Sequence, residues 1–349
     1  VLFRRGETTY TLNWLPIGGF VRLEGEEGES LDKRAFINQR LRTRLWILLA
    51  GVIINFLIAW VIFTLIAFAA EPTWKVRLRT VMDDSPAAVA GLVGGEYLRT
   101  EEVEIRDERG RPTGETRSID IYDDSGDLIV AIDGQEFPVF DDLLTADTSG
   151  RIAPIAYLAE RPGQEVELTV EHADGSAETV EATLRSAEEI AQNLGALGFT
   201  QNSPDYGSRS NGLVESIGIG LEQTLTASTL ILRGLGEFIV SIFAPPEDDA
   251  PSPISGPVGI VSVIGVVRDS LPPVFMLFFV GLLSANLAII NALPFPPLDG
   301  GRVTMALLQA VSRNGISPAA ERMVYLTGFV LLMMLLVWVT ISDISNLAA

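Results

Sequence analysis

The chain of 349 residues contains no cysteine and a single histidine, His172. The first absence removes disulfide frameworks, thiol nucleophiles and cysteine-ligated zinc, and the second removes any multi-histidine metal site within these residues. Basic residues are also scarce, 25 Lys and Arg against 45 Asp and Glu, for a formal net charge of −20. No basic patch accompanies that acidity, so a nucleic-acid partner is not expected. The rest of the composition conflicts with that acidity, because hydrophobic types make up 48% of the chain and its mean hydropathy is +0.31. The two averages are compatible only if acidic and apolar residues occupy different segments.

They do. Residues 71–212 hold 29 Asp and Glu against 12 Lys and Arg, which is −17 of the total −20, and read as a soluble domain. On either side lie runs without a charged side chain: Leu45 to Ala70 (26 residues), Ser270 to Leu298 (29) and Met323 to Ser342 (20). Each reaches the roughly 20 residues that carry a helix across a hydrocarbon core of about 30 Å. Lys33, Arg34, Arg40, Arg42 and Arg44 precede the first run, and Arg302, Arg313 and Arg322 lie between the second and third. The bias of basic residues places both flanks in the cytoplasm and the acidic domain outside. The chain begins at Val1 with no initiator methionine, signal peptide or transit segment, so sequence upstream of Val1 is expected to be missing.

Thr9 to Leu12 alternates, Leu15 to Gly19 carries turn residues, and Phe20 to Leu23 resumes, a β-hairpin pattern too apolar for an isolated ribbon in water. It is expected to be embedded at the membrane or against a partner. In the acidic domain Ser85-Pro86-Ala87-Ala88-Val89-Ala90-Gly91 reads as a short helix with Ser85 as N-cap, Pro86 at its first position and Gly91 past its end. Asp127 to Gly134 reads as a strand and turn, and Val166 to Val170 with Glu178 to Leu184 as a hairpin about Asp174-Gly175. This set resembles a PDZ domain into which about thirty polar residues, Val93 to Ser125, are inserted as a solvated loop. His172, beside the hairpin turn, reads as a solvated loop residue rather than a metal ligand. Residues 213–246, apolar with Glu222, Arg233 and Glu237 widely spaced, suit an amphipathic helix at the outer interface better than a fourth span.

The expected fold class is thus a polytopic α-helical membrane protein with an inserted extracytoplasmic α+β PDZ-like domain and a membrane-associated β-hairpin. The expected boundaries are hairpin and basic flank 1–44, span 45–70, PDZ-like domain 71–212 with insertion 93–125, and interfacial helix and loop 213–269. A span 270–298, a cytoplasmic loop 299–322, a span 323–342 and a tail 343–349 complete it.

The second span ends Asn291-Ala292-Leu293-Pro294-Phe295-Pro296-Pro297-Leu298-Asp299-Gly300-Gly301-Arg302. Three prolines beside an aspartate break a helix at membrane depth, where irregular backbone and a carboxylate are costly unless they line a cavity or bind something. Asp299 is therefore a functional-site candidate, the bland alternative being a helix cap at the cytoplasmic interface. A lone aspartate cannot make a zinc site, which takes about three protein ligands and an open position.

This run is similar to the third-helix motif of site-2 proteases, the intramembrane zinc metalloproteases. Leu15 to Leu23 resembles the family's membrane-associated hairpin, Ala50 to Phe56 the start of its second helix, Ser255 to Ile260 its Gly-Pro turn, and Gly328 to Asp343 its last helix. The resemblance implies that Asp299 is a Zn2+ ligand and that Asn291 holds substrate backbone. It implies that the hairpin, with Gly18, Gly19 and Phe20, aligns an unwound substrate by β-augmentation. It also implies a bacterial cytoplasmic-membrane enzyme of regulated intramembrane proteolysis whose substrate is a single-span membrane protein, an anti-sigma factor being one candidate. The family's His-Glu-x-x-His helix, with two zinc ligands and the general base, is absent from residues 1–349, so this chain alone is expected to be inactive. The alternatives are a catalytically inactive membrane-tethered PDZ scaffold or regulator and, more weakly, a transporter, for which no inverted repeat of the broken helix is present.

Overall fold

The computed structural model describes residues 3–6, 8–11, 23–25, 32–106, 112–145, 151–192, 194–201, 205–243, 256–312 and 316–348. At the start β1 (Phe3–Arg5) pairs antiparallel with β2 (Thr8–Tyr10). The strand expected from Thr9 therefore turns back at Gly6 and pairs upstream over Thr8–Tyr10. The expected return strand and turn, with Gly18, Gly19 and Phe20, lie outside the described residues.

Helix α1 (Leu41–Ala69) is 29 residues long, about 44 Å at 1.5 Å per residue. It starts inside the basic flank rather than at Leu45, because Arg42 and Arg44 form its first turn. Ala70 alone separates it from β3 (Glu71–Val81). Then come α2 (Pro86–Val89), the ribbon β4 (Tyr97–Arg106) and β5 (Pro112–Tyr122), β6 (Leu128–Ile132), α3 (Val139–Thr145) and α4 (Ala153–Ala159). β7 (Glu165–Glu171), β8 (Ala177–Thr183), α5 (Ala187–Ala191), β9 (Phe199–Gln201) and β10 (Asp205–Arg209) close this part. The main sheet runs β10-β3-β6-β7-β8, antiparallel throughout, with β9 also on β3. Val166, Leu168 and Val170 alternate into its interior.

Local chemistry explains several of these elements. Ser85 Oγ accepts from Ala88 N at 3.2 Å and Pro86 fills the first turn of α2, while Gly91 takes φ +82° past its end. Gly175, in the β7–β8 turn, takes φ +80°. Both positions lie in the left-handed region that glycine occupies without steric cost. The Val93 to Ser125 insertion, expected as a loop, is instead the β4–β5 ribbon, whose strands pair from Tyr97↔Tyr122 to Arg106↔Pro112. Cross-strand pairing accommodates its backbone groups although the sequence alternates polar residues on both faces.

The remaining helices are α6 (Leu213–Phe243), α7 (Pro257–Ser270), α8 (Pro273–Ala292), α9 (Asp299–Val311) and α10 (Pro318–Ala348). Three expectations are corrected here. The turn expected over Ser255 to Ile260 instead starts α7, since Pro257 suits a first helical turn and Asp343 accepts from Gly256 N at 3.2 Å and Gly259 N at 2.8 Å. Residues 299–311, read as loop, form α9, and the final helix begins at Pro318 and takes in the supposed tail as far as Ala348. Among the described residues α1, α8 and α10 are the three helices long and apolar enough to cross a membrane, which makes this a multi-pass membrane protein.

α6 crosses the later turns of α1. Trp60 Nε1 donates to Ile217 O at 3.1 Å, and a Cβ on Gly220 would stand 2.6 Å from Thr64 N. Further along, Phe238 meets Trp338 of α10 with ring centroids 6.2 Å apart. At the other end of α1, Arg44 Nη2 donates to Gln309 Oε1 of α9 at 3.4 Å, and Gln309 Nε2 to Glu321 Oε2 of α10 at 2.8 Å. The basic flank and the 299–322 segment therefore share one end of the bundle.

Candidate functional site

The site is built on a helix break. α8 stops at Ala292 because Pro294, Pro296 and Pro297 cannot continue its hydrogen-bond ladder. The chain then turns tightly: Leu293 N donates to Ile290 O at 3.1 Å, Phe295 N to Leu293 O at 2.7 Å and Leu298 N to Phe295 O at 2.9 Å. The Pro296–Pro297 bond is cis. α9 begins at Asp299, a half-buried carboxylate in its first turn, where the helix dipole favours negative charge.

Glycines allow the close approaches that hold this turn. A Cβ on Gly301 would lie 2.6 Å from Phe295 O, and one on Gly300 would collide with the backbone of Ala292 and Leu293. From outside, Gly328 of α10 lies against Pro296, with 2.7 Å from a built Cβ to the carbonyl carbon. Gly51 of α1 faces the carboxylate, its built Cβ standing 3.2 Å from Asp299 Oδ2. Asn291, half-buried, occupies the last turn of α8 on the near side of the break.

Gly51 and Gly328, distant in sequence, thus converge on the turn that joins Asn291 to Asp299. The Gly256-Pro257 turn does not join them and packs instead against Asp343. Gly18, Gly19 and Phe20 lie outside the described residues. Among the described residues no group of three His, Asp and Glu side chains could hold a metal ion. Asp299 is a hard oxygen donor of the kind zinc takes, but these residues by themselves fall short of the three ligands it requires.

Sequence reasoning missed two polar features. His172 is not a bare loop residue: its Nδ1 lies 2.7 Å from Asp127 Oδ1, and its Nε2 lies 3.5 Å from Glu178 Oε2. Asp127 is buried and with its other oxygen accepts from Val93 N at 2.8 Å, at the base of the inserted ribbon. The hydrogen bond to Asp127, and then its charge, raise the His172 pKa above the usual 6.5.

The second feature lies where β3 leaves α1. Glu71, fully buried, accepts at Oε2 from Arg209 Nε (2.8 Å) and Asn211 Nδ2 (2.8 Å), and at Oε1 from Gln223 Nε2 (3.3 Å). The same amide donates to Asp141 Oδ1 at 3.1 Å. Burial raises the Asp141 pKa above 3.8, the Gln223 hydrogen bond opposes the rise, and the charges of Glu71 and Glu222 add to it. Asn211 and Gln223 stand in segments without a motif, so nothing in the local pattern marked them.

The profile of Peptidase family M50 matches residues 1–335. A Clostridium perfringens relative is 28% identical over 341 residues, covering 97% of this chain and 84% of its own. Zinc metalloprotease RasP of Geobacillus kaustophilus is 25% identical over 424 residues, 99% of this chain and 87% of its own. The protein of that name from Shouchella clausii is 24% identical over 425 residues, 99% and 88% respectively. With a match that spans nearly the whole chain and reaches across the helix break, the chain belongs to Peptidase family M50, the site-2 protease family.

Proposed function

We propose that this protein is part of an intramembrane zinc metalloprotease that cleaves single-span membrane proteins. The observation that carries the reading is the packing of Gly51 against Asp299 and of Gly328 against Pro296 at a proline-broken turn between apolar helices, in a chain of family M50. Asp299 supplies one zinc ligand and Asn291 meets substrate backbone. Bound zinc supplies Lewis-acid polarisation of a carbonyl and activation of water. The chain's own share is to hold the Asp299 carboxylate at the start of α9 against Gly51 of α1.

In the same reading, the 71–212 domain is PDZ-like and acts as a size filter or peptide sensor outside the bacterial cytoplasmic membrane. The capped α2, the β6 turn and the β7–β8 hairpin in one antiparallel sheet support it. α6, lying across the later turns of α1 and reaching Trp338, lies along the outer interface. The hairpin with Gly18, Gly19 and Phe20 pairs with the unwound substrate, for which an anti-sigma factor is one candidate. The alternative is a catalytically inactive PDZ scaffold.

The test is the chain fused behind a His-Glu-x-x-His helix taken from a relative. It should bind about one zinc and cut a single-span reporter. Asp299→Asn should lower cleavage by orders of magnitude while still inserting, since the amide is a weaker ligand than the carboxylate. Asn291→Ala should slow turnover with zinc retained. An Asp299→Asn protein that cuts as fast as its parent would sink the metal assignment and favour the scaffold.

A further inference from the structure

The join between sheet and helices is packed rather than linked. One buried cluster runs from Phe63 and Ile66 of α1 and Phe275 and Phe278 of α8 through Phe140 of α3 to Val76 and Leu168 in the sheet. Phe140 stacks on Phe278 with centroids 3.9 Å apart and planes 10° off parallel, and stands edge-on to Phe275 at 5.1 Å. Tyr206 of β10 meets Phe275 at 5.1 Å, and Phe63 meets Phe278 at 5.3 Å. The residue after Phe140, Asp141, is bound by Gln223 of α6. Apolar and polar halves of the join therefore both engage α3.

Farther along α8 the seam changes character. Its buried residues past Phe278 are Gly281, Ala285 and Ala288, and a Cβ on Gly281 would stand 2.7 Å from the Phe63 ring. Small residues let two helices approach closely, and the Phe63 ring seated over Gly281 belongs to the same aromatic cluster that Phe140 completes, while lipid provides no hydrophobic drive between the helices. Interlocked rings at the sheet end provide both register and apolar burial. α8 is unbroken from Pro273 to Ala292, so Phe278 and Asn291 ride on one rod, about 20 Å apart.

We infer that α3, acting through Phe140, sets the axial and rotational position of α8 and so of the Asn291 to Asp299 turn. Phe140 is then a positioning residue that acts from the sheet domain. Its bearing on proteolysis rests on the reading above; its effect on α8 does not.

The test is amide hydrogen exchange on the full chain in lipid nanodiscs. Phe140→Ala should raise exchange across Ala288 to Arg302 about tenfold. Phe275→Ala, on the other side of the same contact, should do likewise and decides the matter if Phe140→Ala does not fold. Leu168→Ala, in the same sheet and fully buried, should raise exchange within residues 71–209 alone. Parental exchange across Ala288 to Arg302 in the folded aromatic variants would overturn the inference, as would an equal rise in Leu168→Ala. The readout needs neither metal nor substrate, so its failure is distinct from failure of the protease reading.

Discussion

Gly51 and Gly328 approach the same turn from two helices, and the same Gly→Ala change should act on them in opposite ways. In a helix interior the change gains about 0.8–1 kcal/mol of propensity. At Gly328 the new methyl meets backbone at Pro296, a built Cβ lying 2.7 Å from the carbonyl carbon, so either α10 or the turn must move. Overpacking of that kind costs about 1–3 kcal/mol, and a backbone obstacle puts it near the upper end. Gly328→Ala should therefore lose about 2 kcal/mol net, roughly a thirtyfold shift in the folding equilibrium. At Gly51 the methyl meets only the end of the Asp299 side chain, at 3.2 Å, which can yield by a few tenths of an ångström. Gly51→Ala should keep its stability or gain up to about 1 kcal/mol. Yet disturbing the groups that orient a metal ligand typically costs about 10–100-fold, so in the fused enzyme it should lose about tenfold in cleavage. Denaturant unfolding in detergent reads the first effect and reporter cleavage the second. Two variants that shift stability alike, or a Gly51→Ala enzyme with parental cleavage, would refute this account of the packing.

Other outcomes are as concrete. NMR titration should place the His172 pKa above 6.5. Because the folded value is raised, its stabilisation is full below about pH 6.5 and lost as pH rises through the folded value, and His172→Gln should abolish that dependence. Asp141 is likewise raised, from 3.8, so its protonated form favours the fold and that contribution fades as pH climbs through the raised value. Asp141→Asn should then be more stable than the parent at pH 7 in thermal unfolding, and a less stable variant would contradict the burial argument. Asp123 N donates to Glu96 O at 2.9 Å, so joining these residues and deleting the ribbon between them should cost less than about 1 kcal/mol. Single cysteines at Ser125 and Asn314 should label from opposite membrane faces with an impermeant reagent, and same-side labelling would reject the topology.

The three spanning helices, the capped α2, the β7–β8 hairpin and the break at Pro294 were legible in the sequence. Each is decided by residues close together along the chain: a charge-free run, a Ser-Pro start, a turn glycine, prolines that cannot stay helical. The family resemblance names Asp299 and Asn291 from the motif alone, while the approach of Gly51 to Asp299 is a property of the packing. What local pattern could not reveal was which surfaces meet. Polar strands became a ribbon once Tyr97 found Tyr122, and residues 257–270 became a helix that Asp343 caps from α10. His172 acquired a buried carboxylate 45 residues away in sequence. Above all, the sheet shares its core with the membrane helices through Phe140, so the domain boundary drawn from charge at residue 71 is a boundary of composition and not of packing. Composition and periodicity act through local backbone preference and solvent transfer, which a sequence carries residue by residue. Contacts such as Gly51 against Asp299 depend on chain closure over hundreds of residues, and only the folded arrangement decides them.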